Sequence, residues 1–190
     1  MVNAIIMASG LSKRMGENKL LLKYKEIPVV EHVIREVSKC KFNEVILVSQ
    51  YDEVLKIGEK YGFKLIKNNN SEIGQSESIK LGLKSSTKCD GFMFFVADQP
   101  KVSRKYINKL IDSFEKNKDN IVIPKYENRC GNPVIFPYDK KNDLLLLNGD
   151  EKGKKVINNS NQVIYVDVDV DEEMLFDIDT KEDYEKVKGE

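Results

Sequence analysis

Short runs rich in apolar residues alternate with amphipathic segments, and this alternation constrains the fold more than any other feature of the chain. Residues 2–7, 44–49 and 92–96 have the length of buried strands. The segments 28–40 and 104–117 repeat apolar residues at the spacing of a helix. Strands that alternate with helices predict an α/β fold in three layers, with a Rossmann-like, mostly parallel, twisted sheet between two layers of helices.

The same pattern continues to the C-terminus. Ser103 and Thr180 stand where helix N-caps are expected, and Asp183 completes a variant of the capping box with Thr180. Because the 190 residues contain no repeat, low-complexity tract or Pro/Ser-rich linker, we predict a single domain over residues 1–190. Further strands are predicted at residues 63–66, 120–124, 133–136 and 162–168, and further helices at 53–61, 77–84, 140–147 and 152–158.

Composition and charge exclude several classes of protein. The 31 basic and 31 acidic residues give a formal charge of zero, so no overall positive charge favours nucleic acid. No apolar run approaches the roughly 18 residues that a membrane-spanning helix requires. The first residues lack the basic start and the cleavage site of a signal peptide, so we expect a cytoplasmic protein without a membrane partner.

The cysteines and the single histidine argue against two further kinds of site. Cys40, Cys89 and Cys130 are odd in number and far apart, which disfavours a disulfide framework. With His32 as the one histidine, a structural zinc site and Ser-His-Asp catalysis are disfavoured as well. Since His32 falls within an amphipathic segment, we expect it on a helix surface or at the edge of the core.

The segment after the first predicted strand contains residue types that bind phosphate. It matches neither the Walker loop, since five residues separate Gly10 from Gly16, nor the dinucleotide fingerprint, since Ser12 replaces its second glycine. Small residues expose the backbone N–H groups, and Ser12, Arg14 and Lys19 add a hydroxyl and two cations. On residue types alone, an ordinary strand-to-helix turn with solvated basic side chains is an equal alternative.

Six short motifs follow one another between about residue 4 and residue 184. In order, they are Ala8-Ser9-Gly10-x-Ser12-x-Arg14-Met15-Gly16-x-x-Lys19, Gly74-Gln75-Ser76-Glu77-Ser78, Ala97-Asp98-Gln99-Pro100, Gly131-Asn132-Pro133, Gly149-Asp150 and Asp177-Ile178-Asp179-Thr180. Together they resemble the motifs of the nucleotidyltransferase family that contains the molybdenum cofactor cytidylyl- and guanylyltransferases. The resemblance implies a fold of the nucleotide-diphospho-sugar transferase type.

The resemblance also implies a reaction, in which a nucleoside monophosphate passes from a nucleoside triphosphate to a phosphate on the acceptor and pyrophosphate is released. The order of the motifs is closer to the cytidylyl branch, which implies CTP as the donor and molybdopterin as the acceptor. Mg²⁺ is the implied cofactor, and a molybdenum hydroxylase or its maturation factor is an implied partner. The alternatives are guanylyl transfer, a sugar-phosphate or phosphocholine-like acceptor, and a non-catalytic factor that delivers the molybdenum cofactor to a hydroxylase.

Carboxylates at the predicted strand ends are the candidate metal ligands. Asp98 follows the most apolar strand, and α/β sheets bind ligands beyond the carboxyl ends of their strands. An extended backbone directs Asp177 and Asp179 to one face and Ile178 to the other. By resemblance, Asp98 and Asp179 are the implied magnesium ligands. The alternatives are a turn-opening role for Asp98 and a helix-capping role for Asp179.

The resemblance assigns the other site residues to three roles. The nucleotide is implied to contact Ala8, Ser9, Gly10, Ser12, Arg14, Lys19, Gln75, Ser76 and Ser78. The implied catalytic residues are Arg14, Lys19 and Asp98, and the implied acceptor contacts are Asn132, Lys154 and Asp177. Lys154 keeps the charge, but not the bidentate geometry, of the arginine that the family usually has there. Simple N-capping by Ser76 is the alternative to its contact with the nucleotide.

Overall fold

The computed structural model describes residues 1–167 and 176–188. Its strands are β1 (Val2–Ala8), β2 (Lys23–Tyr24), β3 (Ile27–Pro28), β4 (Glu44–Ser49), β5 (Lys64–Lys67), β6 (Gly91–Val96), β7 (Ile121–Tyr126), β8 (Arg129–Cys130), β9 (Val134–Pro137) and β10 (Val163–Asp167). Its helices are α1 (Val29–Ser38), α2 (Asp52–Glu59), α3 (Gln75–Ser85), α4 (Arg104–Lys116), α5 (Lys141–Leu145), α6 (Lys154–Asn158) and α7 (Lys181–Lys188). None of the helices in these two ranges has the length and apolar character needed to cross a membrane.

Eight of the strands form one sheet in the order β10-β7-β9-β6-β1-β4-β5, with β8 paired to β7. β1 lies between β4 and β6 and is parallel to both, β5 is parallel to β4, and β10 is parallel to β7. β9 runs antiparallel to β6 and β7, and β8 runs antiparallel to β7. The sheet is therefore mixed but mostly parallel, and the predicted α/β fold is confirmed.

The two faces of the sheet belong to separate hydrophobic cores because side chains alternate along each strand. One face, which includes Ile6 and Phe95, packs against α1, α2 and α4. The opposite face, which includes Ile5 and Phe94, packs against α3, α5 and α6. Helices on both faces complete the three predicted layers.

Helix caps form at both positions that the sequence predicts. At the start of α4, Ser103 Oγ accepts a hydrogen bond from the Tyr106 N–H at 3.4 Å. At the start of α7, Thr180 Oγ1 accepts from the Asp183 N–H at 3.1 Å, and Asp183 Oδ2 accepts from the Thr180 N–H at 3.0 Å. This reciprocal pair is the predicted capping box.

The short elements are where the structure departs from the sequence prediction. β2 and β3 form an antiparallel hairpin that we did not predict, because two-residue strands have no periodic signal. The polar segment 125–132, which lies between the strands predicted at 120–124 and 133–136, contains the end of β7 and the whole of β8. The strand predicted at 162–168 is observed as Val163–Asp167, and Val168 lies outside the described residues.

Candidate active site

A cavity of about 1120 Å³ opens at the carboxyl ends of β1 and β6. Residues 9–14 of the loop after β1 line it, as does Asp98 from the segment after β6. Asp177 and Asp179, which precede α7, also line the cavity. The cavity therefore lies at the edge of the sheet where the sequence predicts the site.

The loop after β1 is held by residues at the end of β4. The Tyr51 hydroxyl donates to the Gly10 carbonyl at 2.9 Å, and Gln50 Nε2 donates to the Ser9 carbonyl at 2.9 Å. The Ser9 hydroxyl donates to the Val48 carbonyl at 3.3 Å, so this side chain faces β4. These contacts fix the first half of the loop against the neighbouring strand.

Ser12 folds the second half of the loop back on itself. Its φ of +49° lies in the left-handed region, which reverses the chain direction locally. Its carbonyl accepts from the Met15 N–H at 2.9 Å, and its Oγ accepts from the Lys19 N–H at 3.3 Å. The predicted phosphate-binding hydroxyl is thus also a structural contact that helps place Lys19.

A charged cluster, formed by Arg14, Lys19, Asp98 and Asp179, lies at this end of the cavity. Lys19 Nζ donates to Asp98 Oδ2 at 2.6 Å and to Asp179 Oδ1 at 2.8 Å. Arg14 Nη1 lies 3.7 Å from Asp179 Oδ2. The Lys19 side chain is only 10% exposed, whereas that of Arg14 is 72% exposed. Lys19 is therefore fixed between two carboxylates, and Arg14 extends into the opening.

The charged cluster keeps its lysine protonated but leaves one buried carboxylate oxygen without a hydrogen bond. Burial alone lowers the pKa of Lys19, but attraction to Asp98 and Asp179 outweighs it, so the pKa is raised and the amine stays protonated. Asp98 Oδ1 is buried and accepts no hydrogen bond from any described residue. A buried carboxylate oxygen without a donor is costly, and it marks a position where a ligand or a cation can complete the site.

Asp177 and Asp179 both line the cavity while Ile178 between them is buried, as the predicted alternation requires. The Ile178 N–H donates to the Asp98 carbonyl at 3.2 Å, which ties the two carboxylate segments together. Gln99 Nε2 donates to Asp177 Oδ1 at 2.7 Å. Burial raises the pKa of Asp177 to about 6, the negative charge of Asp98 adds to the rise, and the bond from Gln99 opposes it.

The helix-capping alternative for Asp179 is not observed. Its carboxylate is directed to Lys19 and Arg14, and the cap of α7 is formed by Thr180 and Asp183 instead. Asp183 Oδ2 also accepts from the Asp179 N–H at 3.3 Å. The capping box therefore holds the backbone of Asp179, while its carboxylate lines the cavity and contacts Lys19 and Arg14.

The start of α3 contributes Gln75 and Ser78 to the cavity but not Ser76. Ser76 is fully buried, its Oγ has no partner among the described residues, and its N–H donates to the Gly149 carbonyl at 3.2 Å. The capping alternative for Ser76 is wrong, because Gly74 is the N-cap and provides no side-chain cap. At Gly74, φ is +122° and a Cβ would lie 2.5 Å from the Gly149 carbonyl, so the motif requires glycine there.

The other predicted residues divide between the cavity and the core. Asn132 and Lys154, the predicted acceptor contacts, both line the cavity. The backbone of Asn132 is anchored where its carbonyl accepts from the Tyr106 hydroxyl at 2.9 Å. Ala8 is buried at the end of β1, and its side chain does not reach the cavity.

Several residues around the cavity were missed by the sequence analysis. Gln50 and Tyr51 hold the loop after β1, and Lys152 and Tyr165 line the cavity. The position of Gln50 and Tyr51, directly after a predicted strand, was a usable signal. Lys152 and Tyr165 resemble ordinary surface residues, and only the fold brings them to the site.

The charged cluster has oxygen ligands that suit a divalent cation. Mg²⁺ is typically bound through one or two carboxylates and the phosphates of a substrate. Asp98 and Asp179 provide the carboxylates, and the unpartnered Oδ1 of Asp98 is an available ligand atom. Within residues 1–167 and 176–188, no three His, Cys, Asp or Glu side chains gather into a metal site. The donor set therefore fits a cation that is shared with substrate phosphates.

A cationic loop that faces carboxylates at the strand ends of an α/β sheet defines a phosphate-handling transferase. The family model of the MobA-like NTP transferase domain matches residues 4–163. The chain belongs to this family and is a nucleotidyltransferase. The resemblance found in the sequence is confirmed.

Relatives and a solved structure cover almost the whole chain. A "Probable molybdenum cofactor guanylyltransferase" from Thermococcus sibiricus is 26% identical over 97% of this chain and 96% of its own length. The "Purine catabolism protein PucB" of Bacillus subtilis is 25% identical over 97% of this chain and 94% of its own. The crystal structure of the homologue of Mycobacterium tuberculosis rv0371c from Mycobacterium sp. strain JC1 superposes with a TM-score of 0.85, at 26% identity, over 99% of this chain and 95% of that chain.

Proposed function

We propose that this chain transfers a nucleoside monophosphate from a nucleoside triphosphate to the phosphate of a molybdopterin-type acceptor, with release of pyrophosphate. The observation that carries the proposal is the contact of Lys19 with Asp98 and Asp179 in a large cavity that the phosphate-suited loop also lines. The name of the relative from Thermococcus sibiricus, a molybdenum cofactor guanylyltransferase, supports the acceptor.

The loop after β1 is the proposed binding site for the triphosphate. Gln50 and Tyr51 hold the carbonyls of Ser9 and Gly10, and residues 9–14 line the cavity. We propose that backbone N–H groups of this loop contribute to phosphate binding. The exposed guanidinium of Arg14 suits bidentate contact with a phosphate, and the buried ammonium of Lys19 supplies a fixed charge. Together they neutralise the negative charge that grows on the leaving pyrophosphate.

The proposed reaction is a single in-line displacement at the α-phosphorus. An oxygen of the acceptor phosphate forms the new bond, the bond from the α-phosphorus to the bridging oxygen breaks, and pyrophosphate leaves with the electron pair. The acceptor phosphate is already ionised near neutral pH, so this step requires no general base. Catalysis then consists of positioning and of charge neutralisation by Arg14, Lys19 and a bound cation.

Asp98 and Asp179 are the proposed ligands of Mg²⁺, as the sequence predicted. When it is bound, the ion supplies positive charge that the triphosphate oxygens share. Asp98 contributes the oxygen that has no other partner, and Asp177, held by Gln99, is a proposed contact of the acceptor. Lys19 keeps the two carboxylates together before the ligands arrive.

The proposal also has to specify which nucleobase the donor carries. The order of the sequence motifs favours CTP, whereas the relative from Thermococcus sibiricus is named as a guanylyltransferase. We take GTP as the donor, because an alignment over 97% of the chain is a more direct comparison than the order of short motifs. The CTP prediction becomes the alternative outcome of the same experiment.

The first test is a thermal-shift panel of GTP, CTP, ATP and UTP, each with Mg²⁺ and with a chelator. A nucleotide at about 100 times its Kd adds about 2.7 kcal/mol to the free energy of unfolding. For a domain of this size we expect the midpoint to rise by roughly 5–10 °C. A Mg²⁺-dependent shift with GTP supports the proposal, and a shift with CTP alone reassigns the base.

The second test measures pyrophosphate release with molybdopterin, a sugar 1-phosphate and phosphocholine as acceptors. Turnover with molybdopterin is the expected result. Turnover with either of the other acceptors contradicts the proposed acceptor but keeps the reaction. Binding of the molybdenum cofactor without any turnover favours a non-catalytic delivery factor and overturns the enzymatic proposal.

A further inference from the structure

A row of side chains on one face of the sheet forms the floor of the cavity. Phe94 of β6 is the register partner of Val134 of β9, and Ile123 of β7 is the partner of Tyr165 of β10. The antiparallel pairing of Val122 with Ile135 places Ile123 opposite Val134. Partners in register project to the same face, and all four side chains line the cavity. We call Phe94, Val134, Ile123 and Tyr165 the cavity floor.

The cavity floor changes from buried to exposed toward the edge of the sheet. Phe94, Val134 and Ile123 are 4%, 7% and 3% exposed, but Tyr165 is 53% exposed. The Tyr165 hydroxyl accepts or donates no hydrogen bond within the described residues, and its ring stacks on no other described aromatic ring. An aromatic ring at the open end of an apolar row is a surface onto which a planar ligand packs.

The cavity floor leads away from the charged cluster. Tyr165 lies three strands beyond β6, which corresponds to about 14 Å at the usual spacing between strands. The cavity volume of about 1120 Å³ exceeds the roughly 300–1,000 Å³ of a pocket for one small ligand. The phosphates meet at the charged cluster, so the outer part of the cavity floor is left for the body of the second substrate.

Three amide side chains line the same cavity as the cavity floor. Asn128, Asn132 and Asn158 all line the cavity and offer both donors and acceptors. A planar nitrogen heterocycle combines an apolar face with a polar edge that carries donors and acceptors. The stacking surface and the amides together match that combination.

We infer that Tyr165 determines specificity for the acceptor by packing its ring against the planar heterocycle of a pterin. The inference rests on the proposed function, because that function requires an acceptor as well as a nucleotide. It names a residue that takes no part in the displacement itself. Tyr165 therefore affects acceptor affinity and leaves the chemistry at the charged cluster unchanged.

The test uses the complete chain with four variants. Tyr165→Leu keeps an apolar side chain but removes the ring, Tyr165→Thr keeps a residue suited to an edge strand, and Tyr165→Phe keeps the ring. Tyr138→Leu is the matched control, since Tyr138 is 50% exposed and lies outside the cavity lining. Thermal unfolding of each variant is recorded first, so that only folded variants are compared.

Binding is measured with 6-hydroxymethylpterin, a fluorescent pterin without phosphate, by its quenching and anisotropy. The chain contains no tryptophan, so protein emission interferes little. Loss of base-type stacking on an aromatic ring is expected to weaken binding about tenfold in Tyr165→Leu and Tyr165→Thr. Tyr165→Phe and Tyr138→Leu are expected to bind as the wild type does.

Steady-state kinetics separate the inference from the proposed function. The KM for molybdopterin is expected to rise about tenfold in Tyr165→Leu, while kcat and the KM for the nucleotide stay within twofold of wild type. An unchanged KM for molybdopterin overturns the inference, and so does a rise in the KM for the nucleotide, which would assign the ring to the nucleobase. Pterin binding that depends on Tyr165 in a chain without nucleotidyl transfer supports the inference and overturns the proposed function.

Discussion

Strand β6 has a cluster of charges at each end, and the two clusters differ in burial. Before its first residue, Asp90 Oδ2 accepts from the ammonium group of Met1 at 2.6 Å and from Lys118 Nζ at 2.8 Å. After its last residue, Asp98 Oδ2 accepts from Lys19 Nζ at 2.6 Å. The side chains of Asp90 and Lys118 are 42% and 47% exposed, whereas those of Asp98 and Lys19 are 20% and 10% exposed.

The difference in burial separates an exposed structural contact from the contact to which we assign a functional role. Exposed ion pairs contribute about 0–1 kcal/mol, so the cluster around Asp90 modestly fastens the N-terminus to the sheet. Charges removed from water lose hydration that their mutual attraction only partly replaces. Asp98 is largely buried, and its Oδ1 has no hydrogen-bond partner among the described residues. This arrangement is expected of a carboxylate that completes its contacts only when ligands bind.

The largest difference that we expect between the two ends of β6 is in turnover. Asp98→Ala removes a preorganised charge from the site, and we expect turnover to fall by roughly 10²-fold or more. Asp90→Ala is the matched control at the other end of β6, and its turnover should stay within twofold of wild type. Pyrophosphate release under saturating substrates measures both. Unchanged turnover in Asp98→Ala would contradict the assigned role of this carboxylate.

A smaller effect is expected in the free energy of unfolding. A double-mutant cycle of Lys19→Met with Asp98→Asn should give a coupling energy of about 1–3 kcal/mol, because both groups are largely buried. The parallel cycle of Lys118→Met with Asp90→Asn should give a clearly smaller coupling, because solvent screens these exposed charges. Urea unfolding in the presence of a chelator measures both cycles. Equal coupling at the two ends would show that burial does not distinguish them.

The smallest expected effect is the pH dependence of the contribution that Asp90 makes to the free energy of unfolding. Hydrogen bonds from Lys118 and from the N-terminal ammonium lower the pKa of Asp90 from about 3.8 to about 2. A lowered carboxylate pKa stabilises the fold above about pH 4, and this contribution is lost as the pH falls toward about 2. Because Asp90 is exposed, we expect Asp90→Asn to cost less than about 1 kcal/mol at about pH 5.

The matching measurement is urea unfolding of wild type and Asp90→Asn at several pH values. The difference between the two proteins should shrink toward zero as the pH approaches about 2, and added salt should shrink it at every pH. A difference that persists at low pH would mean that the Asp90 contact is not electrostatic.

The long elements of the fold could be predicted because their signal is local. The strand predicted at 44–49 is observed with the same bounds, and the two predicted caps of α4 and α7 form as expected. The hairpin of β2 and β3 and the reversed direction of β9 could not be predicted. Both depend on pairings between strands, which leave little pattern in segments of two to four residues.

For the candidate site, the sequence offered a set of residue types but not their spatial arrangement. Arg14, Lys19, Asp98 and Asp179 were chosen from their motifs and their positions near strand ends. Their contacts join segments that lie 79 and 160 residues apart, and no local pattern reports such distances. Tyr165 was missed for a related reason, since an exposed tyrosine on a strand has no feature of its own that indicates a binding surface.

The sequence by itself determined the alternating strands and helices, the helix caps and the phosphate-suited chemistry of the loop after β1, because these depend on neighbours within a few residues. Only the tertiary structure decided that Lys19 lies between Asp98 and Asp179 and that Asp98 keeps an unpartnered oxygen. It also decided that Tyr165 ends an apolar row that starts at Phe94. Burial and pairing across the sheet set these relations, and both arise only when distant segments pack together.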